Sequence, residues 1–200
     1  MNLPNKLTVL RILMIPVFLV FMLLETIPHR YLLAAIVFGL ASFTDFLDGY
    51  LARKRGLVSN FGKLMDPLAD KLLVFSALIC FIPINAAHAV LVFIILAREL
   101  LVTSVRLIAA EQGRVIAADW WGKVKTVVQI VWILMVLFTY WLWSNVMLLF
   151  EPVVENSAPP SGVLGLLVLC DVLQIAVVIL TLFSGWNYIW KNRDLFSDIG

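Results

Sequence analysis

Six long apolar runs, separated by short polar stretches, set the pattern of this chain. They fall at Leu7 to Leu24, Tyr31 to Ala52, Leu64 to Ile84, Ala89 to Ala110, Val124 to Phe150 and Val163 to Ile189. At ~1.5 Å of rise per residue, each is long enough as a helix to cross ~30 Å of hydrocarbon. Six transmembrane helices are therefore expected. The fifth run has 27 residues, or ~40 Å of helix, so it must tilt or project from the bilayer. Short connections predict that consecutive helices are antiparallel and adjacent. The connection from Glu151 to Gly162 carries Pro152, Pro159 and Pro160 and reads as an exposed irregular loop. The polar stretch from Glu111 to Lys123 is placed to fold over a cavity mouth.

Composition supports this reading. Of 200 residues, 62% are hydrophobic and 14% charged, and the mean hydropathy is +1.01. A soluble domain is nearer half apolar. The expected fold class is an all-α integral membrane protein, one domain over residues 1–200. The run after Lys6 and Arg11 lacks a small-residue cleavage site at Leu24-Glu25-Thr26-Ile27-Pro28, so it reads as a retained first helix.

Basic residues orient the chain, because short loops rich in lysine and arginine stay cytoplasmic. Lys6 and Arg11 mark the amino end, Arg53, Lys54, Arg55 and Lys63 the second connection, Arg114 and Lys123 the fourth, and Lys191 and Arg193 the carboxyl end. The other connections hold Arg30 against Glu25, Glu151 and Glu155. Both termini are expected in the cytoplasm, and a bacterial inner membrane is the favoured location. Topology accounts for the net charge of +2, so nucleic acid is not an expected partner. Cys80 and Cys170 sit inside apolar runs as small hydrophobes. Tryptophans at 120, 121, 141, 143, 186 and 190 lie near segment ends, as an interfacial belt does.

Candidate chemistry lies where acids meet this apolar background. The second run ends Asp45-Phe-Leu-Asp48-Gly49-Tyr-Leu-Ala52-Arg53, and the third begins Gly62-Lys-Leu-Met-Asp66-Pro-Leu-Ala-Asp70. Carboxylates in spanning helices are costly and usually line a functional cavity. Asp45 and Asp48 are three apart and Asp66 and Asp70 four apart, so each pair shares a helix face. Facing each other, the pairs offer oxygen ligands for hard divalent cations, with room for two. Counted back from Arg53, Asp48 lies ~7 Å and Asp45 ~12 Å inside the boundary, at the depth of lipid headgroup chemistry. Glycine and alanine beside the acids either admit something flat and bulky to the backbone, such as a nucleotide, or let the helices pack closely. His29 and His88 lie near the opposite segment ends and are assigned no catalytic role.

The pattern D-x-x-D-G-x-x-A-R, eight residues, then G-x-x-x-D-x-x-x-D runs from Asp45 to Asp70 and resembles the signature of the CDP-alcohol phosphotransferases. That resemblance implies a six-helix, typically homodimeric enzyme that displaces CMP from a CDP-linked substrate with a second substrate's hydroxyl. It implies that Asp45, Asp48, Asp66 and Asp70 hold two divalent ions, Mg²⁺ or Mn²⁺, with Asp70 as the base. Asp48, Gly49, Ala52, Arg53 and Gly62 would surround the nucleotide. No Ser/His or Cys/His arrangement suggests a covalent intermediate, so direct attack is expected.

Three further stretches, Pro4 to Arg11, Ala97-Arg98-Glu99 with Ser104-Val105-Arg106, and Trp121 to Thr126, resemble bacterial phosphatidylglycerophosphate synthases. This second resemblance implies CDP-diacylglycerol and glycerol-3-phosphate as substrates. Arg106, Arg114, Lys123 and Lys125 suit an acceptor phosphate, although positive-inside topology also accounts for Arg114 and Lys123. Arg98, ~20 Å along its helix from Glu111, needs a partner. Its neighbour Glu99 is expected to point elsewhere, leaving an interhelical carboxylate or a polar cavity. Lys71 stands in the same position. Asn5, Thr8 and Arg11 either wall the headgroup entrance or anchor the first helix. The same chemistry could serve inositol phosphate, serine or phosphatidylglycerol as acceptor. A cation or proton carrier is the non-enzymatic alternative, disfavoured because no internal repeat shows and the acids are shallow.

Overall fold

A computed structural model describes the backbone of residues 3–55, 60–114, 116, 119–150 and 160–194, and side chains over 9–44, 71–110, 112–114, 116, 119–145 and 160–194. Within these residues the regular structure is helical: α1 Leu3–Leu23, α2 Arg30–Arg55, α3 Asn60–Phe81, α4 Ala89–Glu111, α5 Trp120–Phe150 and α6 Ser161–Lys191. Each helix contains most of one apolar run. α1, α3 and α5 begin a turn earlier than the runs that predict them, since apolarity marks immersion and a helix continues wherever its backbone bonds can close. α3 stops at Phe81 rather than Ile84 because Pro83 disfavours helical geometry in the residue before it. The chain then turns tightly. Asn85 adopts a positive φ of 56°, and the amides of Ala86 and Ala87 donate to the Phe81 carbonyl at 2.9 and 3.2 Å.

The helices close into a ring in the spatial order α1, α2, α5, α6, α4, α3 and back to α1, with α2 also touching α3. One expectation needs correction. α4 lies chiefly on α6 and α3 rather than on its chain neighbour α5. The polar connection that follows Glu111 is long enough to carry the chain across the end of the bundle, so α5 can pack on α2 instead. Among the described residues, the thinnest join in the ring is that between α3 and α4.

Packing is led by aromatic and small side chains. Phe18 of α1 and Phe38 of α2 have ring centroids 6.0 Å apart, Phe81 meets Trp132 edge-on at 6.1 Å, and Tyr31 meets Tyr140 at 5.6 Å. Ala34 and Ala41 of α2 are fully buried, and such small residues let helices approach closely where dispersion rather than the hydrophobic effect drives association.

The bundle is apolar on its outside as well as in its core. Arg11, Lys125, Gln129, Gln174, Thr181 and Ser184 are buried, while leucine, isoleucine, valine and phenylalanine side chains on every helix are exposed. Exposed apolar surface on this scale suits a lipid solvent. Among the described residues, two helical stretches, Trp120–Asn145 and Ser161–Lys191, are long and apolar enough by themselves to cross a membrane, and shorter apolar stretches lie at Val9–Leu23, Arg30–Thr44 and Lys71–Phe81. α4, 23 residues long, carries Arg98 and Glu99 near its middle and Arg106 towards its end.

Candidate active site

α2 carries Asp45, Asp48, Gly49, Ala52 and Arg53, and α3 carries Gly62, Asp66 and Asp70. The two helices touch, and both run continuously through these positions, so the spacings three and four do place each acid pair on one helix face. The side chains of these eight residues, and of Asn5 and Thr8 on α1, lie outside the described ones. Among the described residues no group of three or more histidine, cysteine or acidic side chains is arranged to hold a metal ion.

Immediately after Asp70, Lys71 opens onto an ionic cluster inside the bundle. Lys71 reaches from α3 to α4, where its ammonium donates to the Glu99 carbonyl at 3.1 Å, to Glu99 Oε2 at 3.4 Å and to the Thr103 hydroxyl. From α5, Lys125 donates to Glu99 Oε1 at 2.6 Å with only 2% of its side chain exposed. Arg98 Nη1 donates to the same oxygen at 3.0 Å, and Arg98 Nη2 to Ser184 Oγ of α6 at 2.9 Å. One carboxylate thus gathers three cations from three helices. In a low-dielectric interior, such charges are tolerated because each is paired and hydrogen-bonded.

The placement of Arg98 corrects the expectation that it must look beyond Glu99. Neighbours on a helix diverge at Cβ, but the long arginine stem runs into a slot between α5 and α6 and its guanidinium returns to Glu99. Two glycines form the slot. A Cβ at Gly185 would stand 3.0 Å from Arg98 Cγ, and one at Gly122 would stand 3.6 Å from Nη2. Glu99 and Gly122 stood out in the sequence only as members of motif stretches, with no role of their own, and Thr103, Ser184 and Gly185 were not singled out. The available signal was Glu99 itself, a carboxylate in the middle of an apolar run.

The four expected acceptor residues separate in the structure. Lys125 points inward to Glu99, whereas Arg106 is exposed, with its Nε donating to Tyr188 Oη at 3.3 Å and its guanidinium 5.4 Å from that ring's centroid. Arg114 pairs with Asp194 at 2.6 Å on the surface, and Lys123 is exposed on the first turn of α5. Arg11 is buried. Next to α5, Asp119 accepts from Asn187 at 2.6 Å and from Lys191 at 3.2 Å. Burial pushes the Asp119 carboxyl up, but the hydrogen bonds from Lys191 and Asn187 and the Lys191 charge outweigh it and hold the group below its ordinary value. At the other end of the bundle, His29 Nδ1 accepts from Trp141 Nε1 at 3.3 Å, a contact between helix ends with no link to the acids.

Comparison with known proteins joins the acid-bearing helices to a family. Residues 1–155 match the family model for CDP-alcohol phosphatidyltransferase. The chain is 42% identical, over an alignment of 204 residues, to a CDP-diacylglycerol--glycerol-3-phosphate 3-phosphatidyltransferase of Bacillus subtilis, covering 96% of each. It is 33% identical over 196 residues to the protein of that description from Rickettsia felis, covering 98% of this chain and 97% of the relative. With one from Mycoplasma genitalium it shares 35% over 168 residues, covering 84% and 66%. With most of its length matched and the motif from Asp45 to Asp70 lying within that match, the chain belongs to the CDP-alcohol phosphatidyltransferase family.

Proposed function

We propose that this protein is a phospholipid-synthesising enzyme that transfers the phosphatidyl group of CDP-diacylglycerol to sn-glycerol-3-phosphate, giving phosphatidylglycerophosphate and CMP. The observation that carries the reading is the near end-to-end match to relatives described by that activity, with the full acid motif present on two touching helices. The reading includes six membrane spans in one domain, both termini on the cytoplasmic side, and a second copy as partner. The exposed apolar surface of the bundle supports the first of these.

Members of the family generally depend on divalent cations, and four carboxylates at helical spacings of three and four on adjacent helices are a hard-oxygen donor set that fits them. Asp45, Asp48, Asp66 and Asp70 would hold two such ions, Mg²⁺ or Mn²⁺, whose bound charge would offset that of the pyrophosphate. Within the protein's own residues, Gly49, Ala52, Arg53 and Gly62, with Asp48, line the side on which the nucleotide lies. Asp70 takes the proton of the attacking glycerol-3-phosphate hydroxyl. That oxygen bonds to the phosphorus bearing the diacylglycerol, and the bond from this phosphorus to the bridging oxygen of CMP breaks, with the electron pair leaving on CMP. Of the four basic residues expected for the acceptor, Arg106 and Lys123, exposed towards the ends of α4 and α5, would supply positive charge to its phosphate, whereas Arg114 is paired with Asp194 and Lys125 is committed to Glu99.

The test is acceptor competition with purified protein, CDP-diacylglycerol and Mg²⁺. Glycerol-3-phosphate is expected to release CMP at least tenfold faster than serine, inositol phosphate, phosphatidylglycerol or glycerol, because a site built for phosphate leaves cations unpaired with an uncharged analogue. Preference for another acceptor would overturn the assignment while keeping the chemistry. Absence of CMP release with every acceptor and divalent metal would overturn the enzyme reading.

A further inference from the structure

The ring of helices closes at its thinnest join, between α3 and α4. Among the described residues, the ionic link across that join is Lys71 to Glu99. All three ammonium hydrogens of Lys71 have an acceptor on α4: the Glu99 carbonyl, the Glu99 carboxylate and the Thr103 hydroxyl. Glu99 is itself held from two other sides, by Lys125 of α5 and by Arg98, which is fastened to Ser184 of α6. Fixity from α5 and α6 therefore passes through one carboxylate to α3.

α3 is also the helix of Asp66 and Asp70. Successive residues turn about 100°, so position 70 lies about 100° and position 66 about 140° round the axis from Lys71. A group at the rim of a helix, about 5–6 Å from the axis, moves about 1 Å for each 10° of rotation. Metal–oxygen distances hold within about 0.2 Å. A few degrees of freedom in α3 would exceed that tolerance.

We propose that Glu99 is a positioning residue: by seating Lys71 on α4 it fixes the rotation of α3, and with it the placing of Asp66 and Asp70 opposite Asp45 and Asp48. This rests on the reading that those four aspartates hold the divalent ions. Glu99 touches neither substrate nor metal in this role. Lys125 and Arg98 hold Glu99 in place, and Thr103 shares the load on Lys71.

The experiment measures Mn²⁺ binding to the full chain in lipid nanodiscs, by loss of the free-ion electron paramagnetic resonance signal, without turnover. Lys71→Met and Glu99→Gln are each expected to weaken Mn²⁺ binding about tenfold, the scale on which outer partners of metal ligands act. Thr103→Val, nearly isosteric and safe for folding, shifts it less in the same direction, and Lys71→Arg restores most of the affinity. The double variant Lys71→Met/Glu99→Gln is no weaker than the worse single one, since both break one contact. In turnover, the KM for Mn²⁺ rises in parallel while the KM for CDP-diacylglycerol at saturating metal stays within twofold of the parent. Variants that melt earlier but bind Mn²⁺ within twofold of the parent would overturn the proposal, leaving Glu99 a structural ion-pair partner. So would an effect of Glu99→Gln that Lys71→Met lacks. Asp66→Asn is the control for the underlying reading: if the parent binds no Mn²⁺, or Asp66→Asn binds it unchanged, the four-aspartate site fails and the proposal with it.

Discussion

Arg98 depends on two hydrogen atoms, those that stand where Gly122 and Gly185 lack side chains. The gap at Gly185 is the tighter, 3.0 Å from a would-be Cβ to Arg98 Cγ, so Gly185→Ala should push the arginine stem from its slot and strain its bonds to Glu99 and Ser184. A loss of about 1–3 kcal/mol is expected from such overpacking, read as an earlier melting transition, with Gly122→Ala costing less. Asp70 is a different case, since its expected role is chemical. Asp70→Asn should abolish turnover while CDP-diacylglycerol binding in Mg²⁺ survives, and normal turnover would remove it as the base. The acid motif was legible because its residue types and spacings are stated by the sequence itself. Glu99 was not, because a pair adjacent in sequence gives no sign that a glycine slot will bend one partner back to the other.

Helices were legible as elements because hydropathy and length coincide in a membrane protein. Their ends were less so, since helical hydrogen bonding runs past the apolar boundary until something such as Pro83 stops it. Order around the ring was not written in the pattern at all. That α4 sides with α6 follows from matching side chains, Val102, Val105 and Ala109 against Tyr188, which no single-helix periodicity encodes. α5 and α6 are joined at the polar end by Asp119, Asn187 and Lys191. Because the folded carboxyl lies below its ordinary value of 3.8, this latch stabilises the fold fully above that value and loses its contribution as pH falls through the lower, folded one. Asp119→Asn should therefore melt earlier than the parent at pH 6, and the difference should shrink on acidification below pH 3.8. A constant difference across that range would exclude the ionised latch.

For the molecule as a whole, the apolar outer surface suits a lipid solvent, and the proposed orientation rests on the basic residues. A cysteine introduced at Asn60 should be labelled only from the cytoplasmic side of intact cells or oriented vesicles, and one at Ser157 only from the other. The reverse pattern would overturn the proposed cytoplasmic placement of the acids. Family membership was readable from one motif, whereas the closed ring and its Glu99 centre required three dimensions. The unequal helix lengths carry a last consequence. Tryptophans 120 and 141 are 21 residues apart on α5, close to the ~30 Å of ordinary hydrocarbon, yet α5 and α6 each run 31 residues while α1 has 21. The long pair therefore holds several apolar turns in reserve, and the short helix has none. As acyl chains lengthen, α5 and α6 can sink into the thicker layer unchanged, whereas α1 reaches its limit and must drag its polar ends inward. On the proposed six-span arrangement, turnover in vesicles of graded chain length should be flat up to the length of α1 and then decline.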